Sequence, residues 1–178
     1  IAHYLGVVCR FKPVAASYNE LAEMIAGGCA DLAIGYLSYT PERAKHLLFT
    51  APYLQFKMGM LINRMYLSRE FKKRSEEDII RNFEGRLGVE AGASYVEYAR
   101  LVFPAAEVLT FTSWPDLVRA TADNRVDAAF SHNFDIQKII IDNPELSLRL
   151  KTVIFNDFTD DVAIALPWKN HHLHYWLN

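Results

Sequence analysis

Ser38, Thr40 and Arg43 stand close together and offer two hydroxyls and a guanidinium, a donor set suited to a carboxylate. They lie in the stretch Asp31 to Tyr53, read DLAIGYLSYTPERAKHLLFTAPY. A second hydroxyl-bearing turn, Gly92-Ala93-Ser94, leads into Tyr95-Val96-Glu97. A third group pairs an imidazole with a carboxylate, since His132 and Asp135 fall about one helical turn apart. His171, His172 and His174 cluster near the end of the sequence with no carboxylate or thiolate beside them, so they do not compose a metal site, and no motif implies a cofactor. On spacing alone, a surface arginine and a loop serine fit the first group equally well, and an ordinary capped helix fits the second better.

The elements that must position these groups can be read from the same sequence. DLAIG is a short apolar run closed by Gly35, which predicts a buried strand rather than a helix. Thr40 suits an N-cap, Pro41 the first helical position and Glu42 the positive end of the dipole, so a helix is expected from Thr40. A strand end, a hydroxyl-rich loop and a helix start would together form an anion cradle with free backbone N–H groups. Ser94 and Glu97 have capping-box spacing, which predicts a second helix start able to face the first across a cleft.

Upstream, Ile1–Leu5 ends at Gly6 like the last turn of a helix, Val7–Phe11 is expected to be a strand, and Ser17 with Glu20 opens a helix that stops at Gly27-Gly28. Downstream, strands are expected at Lys57–Asn63, Arg86–Val89, Val108–Phe111, Asp127–Ser131, Leu148–Thr152 and Val162–Leu166. Helices are expected after Ser75, after Ser113, over Asn133–Ile141 and from Asn170. The repeated order of strand, loop and helix implies α/β architecture with mostly parallel sheets, whose ligands sit beyond the carboxyl ends of the strands.

The 178 residues are 51% hydrophobic and 22% charged, enough for a sizeable core in one globular unit or two small lobes. A net charge of −2 leaves no basic surplus for nucleic acid. No apolar stretch reaches the ~20 residues needed to span a bilayer, and no charged-then-apolar signal opens the sequence. Cys9 and Cys29 are expected as unrelated thiols rather than a bridge.

D-L-A-I-G-x-L-S-x-T-P-E-R-A-x-x-x-x-F-T-x-P-Y resembles the signature of the bacterial extracellular solute-binding proteins of family 3, the periplasmic amino-acid-binding type. N-R-V-D-A-A-F is similar to that family's G-x-V-D-A. The resemblance implies a two-lobed, type II periplasmic-binding fold joined by two hinge crossings, with lobe 1 from residues 1–60 and 160–178 and lobe 2 from 61–159. It implies that Arg43 and Ser38 hold a ligand carboxylate, that Gly35 or Tyr36 offers backbone groups, that Ser94 adds a bond from the second lobe, and that Tyr18 lines the side-chain pocket. The family begins with a further strand and a glycine-containing loop, which this sequence does not show, so the first lobe's sheet is expected to lack a central member.

The main departure is His132, where the family usually has an aspartate that pairs with the ligand's α-ammonium. A neutral imidazole cannot supply that charge-assisted bond, so an ordinary α-amino acid is less expected, unless Asp135 takes over the task. Otherwise the ligand is a carboxylate without an amine, with His132 bonding a hydroxyl or second carboxylate. The resemblance implies an exported, non-enzymatic monomer, made with a signal peptide and working with an ABC transporter or a receptor. The same fold includes cyclohexadienyl dehydratases, so an enzyme with Asp135 or Glu90 as the acid is the alternative.

Overall fold

The computed structural model describes residues 1–12, 15 and 17–178. Its elements run α1 (Ala2–Leu5), α2 (Tyr18–Ala26), α3 (Pro41–Ala44), β1 (Leu47–Phe49), β2 (Leu54–Asn63), α4 (Arg64–Glu70), α5 (Glu76–Arg81), β3 (Arg86–Glu90), α6 (Tyr95–Val102), β4 (Glu107–Phe111), α7 (Trp114–Ala122), β5 (Ala128–His132), α8 (Asn133–Asp142), a 3₁₀ turn (Pro144–Leu148), β6 (Leu150–Val162), β7 (Ala165–Pro167) and α9 (His171–Leu177).

Several helix starts follow from their caps. Ser17, Thr40, Ser75 and Ser113 each accept a backbone N–H from the residue three positions on, which satisfies one of the donors a helix start leaves open. Gly6 ends α1 with φ at 66°, a conformation that glycine adopts without penalty.

A five-stranded sheet in the order β4-β3-β5-β2-β6 forms the larger unit. Strands β4, β3 and β5 are parallel, whereas β2 runs antiparallel to both β5 and β6. The sheet is buried on both faces. Met60, Ile62, Leu87, Val89 and Phe130 meet Ile79 of α5 and Ala99 of α6 on one side, while Leu61 and Ala129 meet Leu117 of α7 and Ile136 of α8 on the other. Both-face burial explains why these strands read as continuous apolar runs.

The smaller unit is built from both ends of the chain. β1 pairs with β7, Ala33 bridges to Ala165, and Ile25, Leu37 and Leu47 close over them. β2 and β6 carry the chain between the units. Lys57 pairs with Thr159 and Gly59 with Ile154, so residues 155–158 of β6 bulge opposite Met58.

The two-lobed α/β class stands, with differences from the expected elements. The large sheet is mixed, and the small one is an antiparallel pair rather than a mostly parallel sheet. DLAIG contributes a single bridge at Ala33 in place of a strand. Val7–Phe11 is not a strand: Val8 and Phe11 are exposed, and without a ladder partner an extended segment has nothing to hydrogen-bond. The strands expected at Leu148–Thr152 and Val162–Leu166 resolve into the single long β6 and the short β7, because β2 offers β6 a partner from Leu54 to Asn63. Cys9 and Cys29 are free and exposed. His174 Nε2 lies 2.8 Å from the carbonyl oxygen of Phe49, a structural contact that ties α9 to β1.

Candidate functional site

Arg43 is the only arginine in the one-turn helix α3, and it is turned inward, with 9% of its surface exposed. Its Nη1 donates to the Ser38 carbonyl at 3.1 Å and its Nη2 to Asn19 Oδ1 at 3.2 Å. No carboxylate lies within 4.0 Å of it among the described residues. Burial pulls the guanidinium below its ordinary value, against the opposing pull of Asp160, Tyr98, Glu97 and Tyr18. The surface-arginine reading is therefore set aside.

The anion cradle differs from the sequence expectation in its donors. α3 has a single turn, and its first N–H groups are already taken: Arg43 N donates to Thr40 Oγ1 at 3.3 Å and Glu42 N to Glu97 Oε1 at 3.4 Å. Tyr36 N is also engaged, with the Tyr53 hydroxyl at 3.3 Å. What remains is side-chain chemistry rather than free backbone N–H groups.

Ser94 precedes α6 as expected, but its capping box does not form. Its hydroxyl makes no cap bond and instead donates to Ser38 Oγ at 3.0 Å, while Glu97 reaches Glu42 N. Ser38 in turn donates to Asp160 Oδ2 at 2.8 Å. Tyr98 Oη lies 2.7 Å from the Tyr39 carbonyl oxygen and 3.1 Å from Asp160 Oδ1. The two units thus meet through Ser38, Ser94, Tyr98 and Asp160. Gly92, with φ at 76°, brings its turn to the start of α2, where a Cβ would stand 3.5 Å from that of Ser17.

His132 ends β5 and caps α8, since its Nδ1 accepts the Asp135 N–H at 3.3 Å. Its Nε2 stands 3.4 Å from Asp135 Oδ2, and its ring stacks on Phe56 at 4.5 Å. Phe56 stacks in turn on Tyr36 at 6.2 Å. Both ring nitrogens therefore face protein groups, which sequence spacing could not reveal. Asp135 also accepts from Ser131 Oγ at 3.1 Å.

Tyr18 is half-exposed, and burial followed by the charges of Glu90 and Asp135 pushes its phenol above the ordinary value. Glu90 is held above the usual carboxyl range by burial and then by Asp135. Of the eight expected site residues, the structure links Ser38 with Ser94 and His132 with Asp135, sets Tyr18 within electrostatic reach of Arg43, Asp135 and Tyr36, and leaves Gly35 beside Leu21.

Asp160, Tyr98, Tyr95 and Asn19 escaped the sequence reading. The available signal was a pair of aspartates, Asp160 and Asp161, embedded just before the apolar run that returns to the smaller unit. Among the described residues no group of three His, Cys, Asp or Glu side chains is arranged to hold a metal, and no helix is long and apolar enough to cross a membrane. A cavity of about 960 Å³ lies elsewhere, between α5, the end of α6 and the β6 bulge, lined by Ile80, Phe103, Phe155 and Phe158.

The sequence profile of the bacterial extracellular solute-binding proteins, family 3, matches residues 1–82. The stretch that carried the resemblance lies inside that match. The ABC transporter arginine-binding protein 1 of Escherichia coli (strain K12) is 22% identical over 124 residues, 69% of this chain and 47% of that protein. The chain thus matches about half the length of that curated relative. Among solved structures, an ancestral arginine-binding protein bound to arginine superposes with a TM-score of 0.72 at 22% identity, covering 99% of this chain and 74% of the other. A binding component of an ABC transporter from Wolinella succinogenes DSM 1740, complexed with lysine, gives 0.75 at 18% identity, covering 99% and 72%. These likenesses establish the fold.

Proposed function

From the match of residues 1–82 to the family 3 solute-binding proteins, we propose that this chain binds a small carboxylate-bearing ligand, an amino acid or related organic acid, between its two units. The observation that carries the reading is Arg43: a guanidinium only 9% exposed, with its charge unmatched by any described carboxylate within 4.0 Å. A buried charge is costly unless a counter-charge arrives, and a ligand carboxylate would supply it in a bidentate geometry that arginine favours.

Ser38 and Ser94 line the gap from either side, with Gly35 and Tyr36 at its edge, Tyr18 as a ring wall, and His132 with Asp135 at the far end. The lobes divide as residues 1–60 with 160–178 and residues 61–159, and β2 and β6 act as the crossings. The setting is outside the cytoplasmic membrane, and the protein hands its ligand to a transporter or reports it through a receptor. Asp135 and Glu90 provide negative charge for a ligand that also carries a cationic group, in keeping with the arginine and lysine named for the relatives.

A thermal-shift screen against amino acids, dicarboxylates and keto or hydroxy acids tests this. A ligand at ~100 times its Kd stabilises by about 2.7 kcal/mol. Arg43→Ala is expected to abolish any shift found. An undiminished shift would remove Arg43 from the site.

A further inference from the structure

The contacts around Asp160 contain one hydrogen too few for an ionised carboxylate. Asp160 is 2% exposed, and both of its oxygens are engaged, Oδ2 by Ser38 Oγ at 2.8 Å and Oδ1 by Tyr98 Oη at 3.1 Å. A phenol has a single hydrogen to donate. The shorter contact of Tyr98, 2.7 Å to the Tyr39 carbonyl oxygen, claims it, because a carbonyl offers none in return. Tyr98 Oη and Asp160 Oδ1 would then face each other with lone pairs alone. A proton on Oδ1 resolves this: Asp160 donates to Tyr98, Tyr98 donates to Tyr39, Ser94 donates to Ser38, and Ser38 donates to Oδ2.

We propose that Asp160 is held as a neutral carboxylic acid that clasps the two units together and, by carrying no charge, leaves Arg43 available to the ligand's carboxylate. The second half rests on the carboxylate reading given above. The groups around Asp160 are Arg43 from α3, Tyr95 and Tyr98 from α6, and His132 from the end of β5, while β2 presents the uncharged Phe56 opposite it. Burial favours the neutral acid; the bond from Ser38, then the charges of His132 and Arg43, oppose it, and burial prevails. An ionised Asp160 would be a counter-charge for Arg43 and a like charge beside an incoming carboxylate. Two carboxylates sharing one site cannot both ionise freely.

Asparagine reproduces the neutral acid's pattern, accepting from Ser38 through Oδ1 and donating to Tyr98 through Nδ2. The test compares urea midpoints of wild type and Asp160→Asn from pH 4 to pH 8, with no ligand present. A carboxyl that titrates higher in the folded than in the unfolded chain contributes stability that is full below the unfolded value, about 3.9, and is lost as pH rises through the folded one. The wild-type midpoint is therefore expected to fall relative to that of Asp160→Asn as pH rises. A difference that stays constant, or one in which wild type gains with pH, overturns the proposal. Carbon-13 NMR of the Asp160 carboxyl in the wild-type protein gives a readout that does not depend on the variant folding. A titration midpoint above the ordinary aspartate range is expected, and a midpoint at or below that range refutes the neutral acid. Neither measurement uses a ligand, so failure here leaves the Arg43 test standing, and failure there leaves this one.

Discussion

His132 shows how one side chain can serve structure at a position expected to serve a ligand. Its Nδ1 caps α8 and its ring stacks on Phe56, so the imidazole is fixed by protein contacts. An aspartate would still cap the helix, because aspartate is among the best N-cap residues. It would also place a carboxylate next to Ser131 and Asp135, where a ligand ammonium could reach it. His132→Asp is therefore expected to tighten the binding of an α-amino acid by about tenfold or more, the equivalent of one charge-assisted hydrogen bond. Isothermal titration with the amino acid that gives the largest thermal shift checks this, and an unchanged Kd would count against placing the ammonium at that position. Arg43 was legible as a residue because its neighbours make a recognisable stretch. Asp160 was not, because its significance depends on a contact with Ser38 that spans most of the chain and that no local pattern encodes.

At the scale of elements, helix starts were the most legible feature, since caps are local: Ser17, Thr40, Ser75 and Ser113 all cap where the spacing indicates. Ser94 had the same pattern and did not cap, because a partner hydroxyl across the gap competes for it. Strand boundaries were less legible, since a strand's extent is set by the ladder that its partner offers. The β2–β6 irregularity illustrates the point. Gly59 sits where β6 bulges, and a Cβ there would lie 2.6 Å from the Val153 carbonyl oxygen and 2.9 Å from Ile136 Cδ1. Backbone cannot yield as a side-chain tip can, so Gly59→Ala is expected to destabilise the protein by roughly 1–3 kcal/mol, as overpacking does. Chemical denaturation measures this, and a variant as stable as wild type would show that the crossing strands can shift apart without loss.

For the whole molecule, the α/β class was readable from the alternation of strands and helices, whereas the mixed order β4-β3-β5-β2-β6 was not. Antiparallel placement of β2 depends on which edges remain open after the chain crosses, a property of assembly rather than of any segment. The two units meet through a few polar bonds, among them that of Tyr98 to the Tyr39 carbonyl. Tyr98→Phe removes that bond and the one to Asp160, at a cost of about 1–3 kcal/mol. The variant is expected to show a larger radius of gyration by small-angle X-ray scattering, and unchanged scattering would mean that closure does not depend on these bonds.

Pairing of β1 with β7 joins residues 47–49 to residues 165–167. During synthesis, at roughly 5–20 residues per second, the first of these segments leaves the ribosome several seconds before the second exists. The earlier-made half of the smaller unit therefore waits with its edge open while the larger unit is still being written. Until then Leu47 and Ile25 have only their early neighbours such as Leu37 for cover, and Ala165 arrives last to complete their cluster.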